Sequence, residues 1–410
     1  MNEVVNRILD LSKSYEEADF LPNIFGRFGQ DAISGNVPVV LFGAGSAGKE
    51  LYPLFRQHGV NPVCFCDNNP ERQRELCCGI QVISPAELRR AHRNSLIIIT
   101  PARHCHEIKM QLIDQGILPD KVLCINEDAL TLYYSHICLS HWTYDDLMMH
   151  KDNLLATYRL MYDDNSKQFL INYLSILTHG ADYSSFRKFM HHFLAPELRK
   201  GHFTESYLYF NTDIVDLSNN EILVDCGAYN GDSATEFIRA CQKHNVTYKH
   251  IYCFEPEPSM FVDLSKNMAS YANITMINSG LWTHSTTLSF ANTEVETPGA
   301  TRIIRESGDI HLSDEKVPNS EVRVISIDEN FSDDEITFIK MDIEGAEIEA
   351  IRGAASAIRR CKPKLAISVY HKRNDIFEIP LLLHQIYPEY KFYLRQFSKA
   401  LSETVLFAIP

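Results

Sequence analysis

Five short apolar runs in this sequence each end in a polar residue. Ile222, Leu223 and Val224 run into Asp225, His250 to Phe254 into Glu255, and Ile274 to Ile277 into Asn278. Phe338 to Met341 run into Asp342, and Leu365 to Val369 into Tyr370 and His371. Such runs read as buried parallel strands, so the polar residues fall at strand C-termini, where open α/β sheets bind ligands. One acid after a strand is more often a helix N-cap; five polar residues on one edge make a site. Asp225 could bind a cationic amine. His371, beside Lys372 and Arg373, is the first candidate general base, because its pKa is accessible for that role. Asp342 and Glu344 are the alternative: they could orient a hydroxyl, take its proton, or bind a divalent ion with His371. Glu344-Gly345 also opens a helix, where an acid is favourable without any catalysis. Lys340 points away from the face of Met341 and suits a buried acid as partner. No metal is assigned.

These residues need elements to position them. The stretch EILVDCGAYNGDSATEF, residues 221–237, supplies a strand, a small-residue turn and a helix start. Glycines let the backbone approach a ligand, and the new helix presents unpaired N–H groups. A P-loop is excluded, because the lysine and hydroxyl of its ending are missing. A second cradle lies upstream in PVVLFGAGSAGKELYPLF: a strand from Val39, then Gly43-x-Gly45-x-x-Gly48, then a helix. The strand from Val63 to Cys66 ends in Asp67, about twenty residues after the glycines, the spacing at which an acid binds ribose hydroxyls. This second nucleotide site is short for a whole dinucleotide, so a mononucleotide or nucleotide-sugar suits it at least as well as NAD. The alternative is a fold used only in packing.

The 410-residue length calls for two or three domains. A net charge of −14 argues against a broad nucleic-acid surface. The start has scattered charges and no apolar core, against a secretory signal, and no run is long enough to span a bilayer. Eleven scattered cysteines suit a reducing cytoplasm, and Cys64, Cys66, Cys77 and Cys78 lack zinc-site spacing and read as core.

The expected organisation is an N-terminal helix and loop over 1–35 and a Rossmann-like nucleotide or nucleotide-sugar-binding domain over 36–127. A helical connector follows over 128–215, then a larger α/β domain over 216–410. In the connector, Tyr158, Leu160, Phe169, Leu170 and Tyr173 read mainly as core. The aromatic segment 202–213 reads mainly as packing at a domain junction, with a lid as the alternative. The final strands, near 391–396 and 404–409, form a hairpin-like pair closing a parallel sheet, the ordering of class I methyltransferases.

The motifs VDCGAYNGDSATEF, CFEPEP, VISIDEN and IKMDIEGAEIEAIRGA resemble the FkbM family of S-adenosylmethionine-dependent methyltransferases over about 205–410. The resemblance implies O-methylation of a hydroxyl on a sugar, glycan, glycolipid or polyketide. It implies that Asp225, Gly227, Asn230 and Gly231, with Ala228, Tyr229 and Asp232 in the same turn, cradle the methionine part of the cofactor. Asp225 would meet its amino group, Glu255 the ribose hydroxyls, and Asn278 and Ser279 the adenine. CGAYN departs from the GxGxG form common in other methyltransferases. The order FGAGSAGKEL, CFCDNN, GIQVISPAEL resembles the N-terminal domain of sugar O-acyltransferases, which holds a nucleotide-sugar. Their acyl-transferring β-helix is absent, so acyl transfer is not implied. Together these give a cytoplasmic O-methyltransferase acting on a sugar or glycan hydroxyl, with a glycosyltransferase or glycan-assembly protein as partner. The alternatives are an NAD-dependent nucleotide-sugar oxidoreductase or epimerase, disfavoured because no Tyr-x-x-x-Lys pair follows the first fold, and a non-catalytic cofactor-binding scaffold.

Overall fold

The structure is a computed structural model. It describes residues 3–13, 31–32, 34–57, 59–101, 104–124, 142–179, 189, 192–194, 209–210, 213–291, 305–306, 319–331, 335–398 and 403–410. Most of the segment 202–213, and the middle of 283–321, lie outside them.

The chain divides into two compact units. One comprises Leu11–His141 with Ser175–Met190; the other comprises Met1–Asp10, Trp142–Leu174 and His191–Pro410. The first holds strands β1 (Val39–Phe42), β2 (Pro62–Cys66), β3 (Leu76–Cys77), β4 (Ile80–Ile83), β5 (Leu96–Ile99) and β6 (Val122–Cys124). Their order is β3-β4-β2-β1-β5-β6, parallel except for β3. Alternate residues serve opposite faces. Val39, Leu41, Leu96 and Ile98 join one core cluster, while Val40, Phe42, Ile97 and Ile99 join another. Burial on both faces is why these strands are apolar throughout rather than alternating. Cys64 and Cys66 sit in the second cluster and Cys77 in the first.

The second unit is built on β7 (Glu221–Cys226), β8 (Tyr248–Phe254) and β9 (Ile274–Ile277). A small sheet follows, from β10 (Gly280–Leu281), β11 (Thr286–Ala291), β12 (Arg305–Glu306) and β13 (Asn319–Ile325). The chain then returns as β14 (Phe338–Met341), β15 (Lys364–Ser368), β16 (Lys391–Gln396) and β17 (Thr404–Ile409). The main sheet runs β16-β17-β15-β14-β7-β8-β9, with β17 antiparallel to both its neighbours. It is the doubly wound sheet with a closing antiparallel pair that the sequence predicts. Its strand order reverses beside β7 and β14, so those two strand ends flank the switch point.

The helical stretch 142–174 belongs to this same unit. Tyr162 N–H donates to the Phe392 carbonyl at 2.8 Å, Ser166 Oγ accepts from Leu394 N–H at 2.9 Å, and the Arg395 guanidinium reaches Asp163 at 2.7 Å. Arg373 pairs with Asp146 and lies 4.6 Å from the centre of the Trp142 ring. Among the described residues, no helix is long and apolar enough to cross a membrane.

Candidate active site

The turn after β7 has one steric requirement. Gly227 has φ +82°, and a Cβ there would lie 1.9 Å from the Asp342 carbonyl oxygen, so only glycine lets the ends of β7 and β14 approach. Tyr229 also has positive φ, at 48°. Glu255, 7% exposed, fixes the turn from the end of β8: one carboxylate oxygen accepts the Tyr229 N–H at 2.9 Å, the other the Glu257 N–H at 2.8 Å. Burial pushes Glu255 up to about 7, against the lowering effect of those N–H groups and Lys340. Each oxygen keeps a lone pair, so the carboxylate can still accept two hydroxyls. Asn278 donates from its amide to the Glu255 carbonyl at 2.8 Å, and buried Ser279 donates to the Arg323 carbonyl at 2.9 Å. Asp232 is exposed at the start of the helix Asp232–Lys243.

Asp225 differs from its expected role. It is wholly buried, with Lys340 Nζ 3.2 Å from one oxygen and Ser233 Oγ donating to the other at 2.6 Å. Lys340 also donates to the Gly227 carbonyl at 2.7 Å. The cation beside Asp225 is therefore internal, and the acid braces the turn from below, leaving no opening toward a ligand's amine. Burial would lower Lys340, but Asp225, Asp342 and Asp232 raise it, which holds the charge in place.

The ends of β14 and β15 bring the expected chemical groups together. His371, with a side chain 8% exposed, has Nδ1 2.9 Å from Glu347 Oε1. Its Nε2 lies 3.3 Å from Asp342 Oδ1 and 3.8 Å from Glu344 Oε2. Burial opposes a charge on the ring, but the hydrogen bond and charge of Glu347, then Asp342 and Glu344, push it up to about 10. The surrounding carboxylates thus favour the charged ring, whereas the proton acceptor suggested by the sequence needs the neutral one. Asp342 moves the other way. Desolvation would raise it, but His371 and Lys340 and the Tyr209 hydrogen bond hold it below the usual carboxylate range.

Two members of the cluster escape sequence reasoning. Tyr209 donates to Asp342 Oδ2 at 2.9 Å, and Lys340 lies 5.2 Å from the centre of its ring. Tyr209 is 133 positions from Asp342, so no local pattern links them. Glu347, 1% exposed, accepts the Ile343 N–H at 3.0 Å besides meeting His371. Its signal is present in the run of acids in IEGAEIEA, where an acid at the first position of the helix Glu347–Arg352 reaches back four residues to a free N–H.

Residues 225–396 match the family model described as the methyltransferase FkbM domain. Residues 35–123 match a model described as C2185-like, N-terminal. The fold of the whole chain is similar to a methyltransferase FkbM from Methylobacillus flagellatus KT, at 21% identity over 99% of each chain and a TM-score of 0.60. Aeropyrum pernix fibrillarin with bound S-adenosyl-L-methionine aligns at 9% identity over 50% of this chain and 73% of its own, TM-score 0.30. UDP-D-quinovosamine 4-dehydrogenase from Vibrio fischeri aligns at 25% identity over 22% of this chain and 76% of its own, TM-score 0.18. No curated protein matches the chain.

In the segment that the FkbM model matches, the turn combines a close backbone approach at Gly227 with a nearly buried acid, Glu255, beside it. In the other unit, Gly43 has φ +114° and a Cβ on Gly48 would lie 2.0 Å from the Gly43 carbonyl oxygen. Gly45 lies between them, its carbonyl accepting the Lys49 N–H at 3.0 Å. Asp67 accepts the Ala44 N–H at 2.8 Å and the Asn69 N–H at 2.8 Å, with Arg72 at 3.6 Å. It fixes its turn as Glu255 fixes the other.

Proposed function

We propose that this protein is an S-adenosylmethionine-dependent O-methyltransferase acting on a hydroxyl of a sugar, glycan or glycolipid acceptor. The observation that carries the reading is one sheet edge holding two things: a glycine turn tied to the nearly buried Glu255, and an ionised Asp342 beside His371. Gly227, Ala228, Tyr229, Asn230, Gly231 and Asp232 face the methionine part of the cofactor. Glu255 takes the ribose hydroxyls, and Asn278 and Ser279 border the adenine. When bound, the cofactor supplies a methyl group on a sulfonium, which is already an activated leaving group.

Two tasks are left to the chain. The first is to hold the acceptor in line with the methyl carbon, which is worth up to ~7–11 kcal/mol in favourable cases. The second is to receive the hydroxyl proton, worth about 10²–10⁴-fold. With the cofactor bound, transfer of its methyl group to the acceptor oxygen would leave the electron pair of the broken bond on sulfur, and Asp342 would receive the hydroxyl proton. A weak base suffices, because the hydroxyl becomes far more acidic as the new bond forms. His371 and Glu344 fix the acceptor and steady Asp342.

The N-terminal Rossmann-like domain holds a nucleotide or nucleotide-sugar on the turn of Gly43, Gly45 and Gly48, with Asp67 locking that turn. The setting is the cytoplasm, beside a glycosyltransferase or another glycan-assembly partner. Calorimetric titration of the full chain with S-adenosylmethionine, NAD and UDP-sugars, followed by labelled methyl transfer to a glycan panel, tests both parts. Binding of S-adenosylmethionine with methyl gain on a hydroxyl is expected. Binding of NAD alone would favour an oxidoreductase, and tight cofactor binding without transfer would favour a scaffold.

A further inference from the structure

The geometry points to a divalent-cation site in the segment that the FkbM model matches: we infer that His371 Nε2, Asp342 Oδ1 and Glu344 Oε2 ligate one ion, with Glu347 orienting the imidazole. Nε2 is 3.3 Å from Asp342 Oδ1 and 3.8 Å from Glu344 Oε2. Two ligand atoms each ~2.0–2.2 Å from one ion stand about 3–3.5 Å apart at angles from octahedral to tetrahedral. The Asp342 pair already has that separation, and Glu344, with a side chain 47% exposed, has room to close the remaining gap.

The second observation concerns what Nε2 does not do. The His371 side chain is 8% exposed, yet Nε2 is buried without a hydrogen-bond partner among the described residues. It stands beside the Asp342 oxygen without a hydrogen bond to it, as two ligands of one ion do. The other ring nitrogen is fixed: Nδ1 meets Glu347 Oε1 at 2.9 Å, and that oxygen is held in turn by the Ile343 N–H at 3.0 Å. A carboxylate on the far nitrogen is the usual second partner of a metal-binding histidine, and it sets the ring's direction. The donor atoms of Asp342, Glu347 and His371 lie within 4.8 Å of one another, with Glu344 Oε2 3.8 Å from Nε2 on the more exposed side.

One imidazole and two carboxylates form a mixed set suited to a borderline ion such as Mn²⁺, with Mg²⁺ the oxygen-preferring competitor. The partly exposed Asp342 and Glu344 leave the outer positions to water or an acceptor oxygen. An ion at Nε2 takes the place of a proton there. Its role, ligating the acceptor hydroxyl and making it more acidic, rests on the methyl-transfer reading; its binding does not.

The test uses the full chain after chelator treatment, without cofactor or acceptor, titrated with Mn²⁺ and followed by the loss of the free-ion electron paramagnetic resonance signal. One bound Mn²⁺ per chain, displaced by excess Mg²⁺, is expected. Glu344→Gln, an exposed change that keeps the side chain's shape, should weaken binding at least tenfold, and Asp342→Asn should weaken it further. Calorimetry with S-adenosylmethionine on the same samples separates the two readings, since cofactor binding should be unchanged in Glu344→Gln. No Mn²⁺ binding at millimolar concentration, or equal affinity in wild type and Glu344→Gln, overturns the site while leaving the methyltransferase reading standing.

Discussion

The two glycine turns, 43–48 and 227–231, are built on one plan. In each, an acid ending the second strand ties down the turn: Asp67 accepts the N–H groups of Ala44 and Asn69, and Glu255 those of Tyr229 and Glu257. In each, a residue on the neighbouring strand or at its end donates to the carbonyl of the first glycine. Here the plan diverges. Thr100 gives Gly43 a neutral hydroxyl at 3.1 Å, whereas Lys340 gives Gly227 an ammonium at 2.7 Å and carries a buried partner, Asp225. The ends of β14 and β15 beyond the second turn add Asp342 and His371. Strand, turn and acid are thus shared scaffold, and the charged groups around the second turn set the two apart.

The largest test of this contrast removes the two donors. Lys340→Met leaves Asp225 wholly buried without its cation, and breaking a buried pair costs about 3–5 kcal/mol. Thr100→Val removes only neutral hydrogen bonds, worth about 1 kcal/mol. Urea unfolding of the full chain should show the first variant as much the weaker. Equal losses would mean that the two turns are braced alike.

Next in size is the chemical step. Asp342→Asn should lower kcat by about 10²-fold, as loss of a proton acceptor does, while S-adenosylmethionine binding measured by calorimetry survives. The corresponding strand end in the other unit carries no charge, with Ile99 followed by the neutral Thr100, so Thr100→Val should leave methyl transfer unchanged. Unimpaired turnover in Asp342→Asn would remove Asp342 from the reaction and leave positioning as the domain's whole contribution.

The strands and both turns are legible in the sequence because burial on two faces demands unbroken apolar runs and a close backbone approach demands glycine. Lys340 is legible as well: an ammonium in an apolar strand needs an acid, and strand alternation points it away from Met341. The exact partnerships are less so. Asp225 reads as open to an amine because nothing local reveals that Lys340, from a strand 115 residues onward, fills the place. Tyr209 lies in a segment whose aromatic residues look like packing, and its bond to Asp342 exists only after the sheet assembles. The stretch 142–174 reads as a connector, since helical periodicity shows that a face is buried without showing what buries it. His371 is found by type and place, but its charge depends on three carboxylates brought together by folding.

The smallest effect tests the acids the two turns share. Glu255 is pushed up to about 7 by burial, with Lys340 lowering it and Glu257 raising it. Only the ionised carboxylate can accept hydrogen bonds at both oxygens from ribose hydroxyls. Cofactor affinity should therefore rise with pH through about 7 and level off above it, the ionised fraction falling about tenfold from pH 8 to pH 6. Glu255→Gln should bind more weakly at every pH and lose this dependence. Asp67→Asn should leave S-adenosylmethionine binding and its pH profile untouched, because that acid serves the other turn. If Glu255→Gln keeps the wild-type profile, the titrating group lies elsewhere and Glu255, like Asp67, only holds its turn.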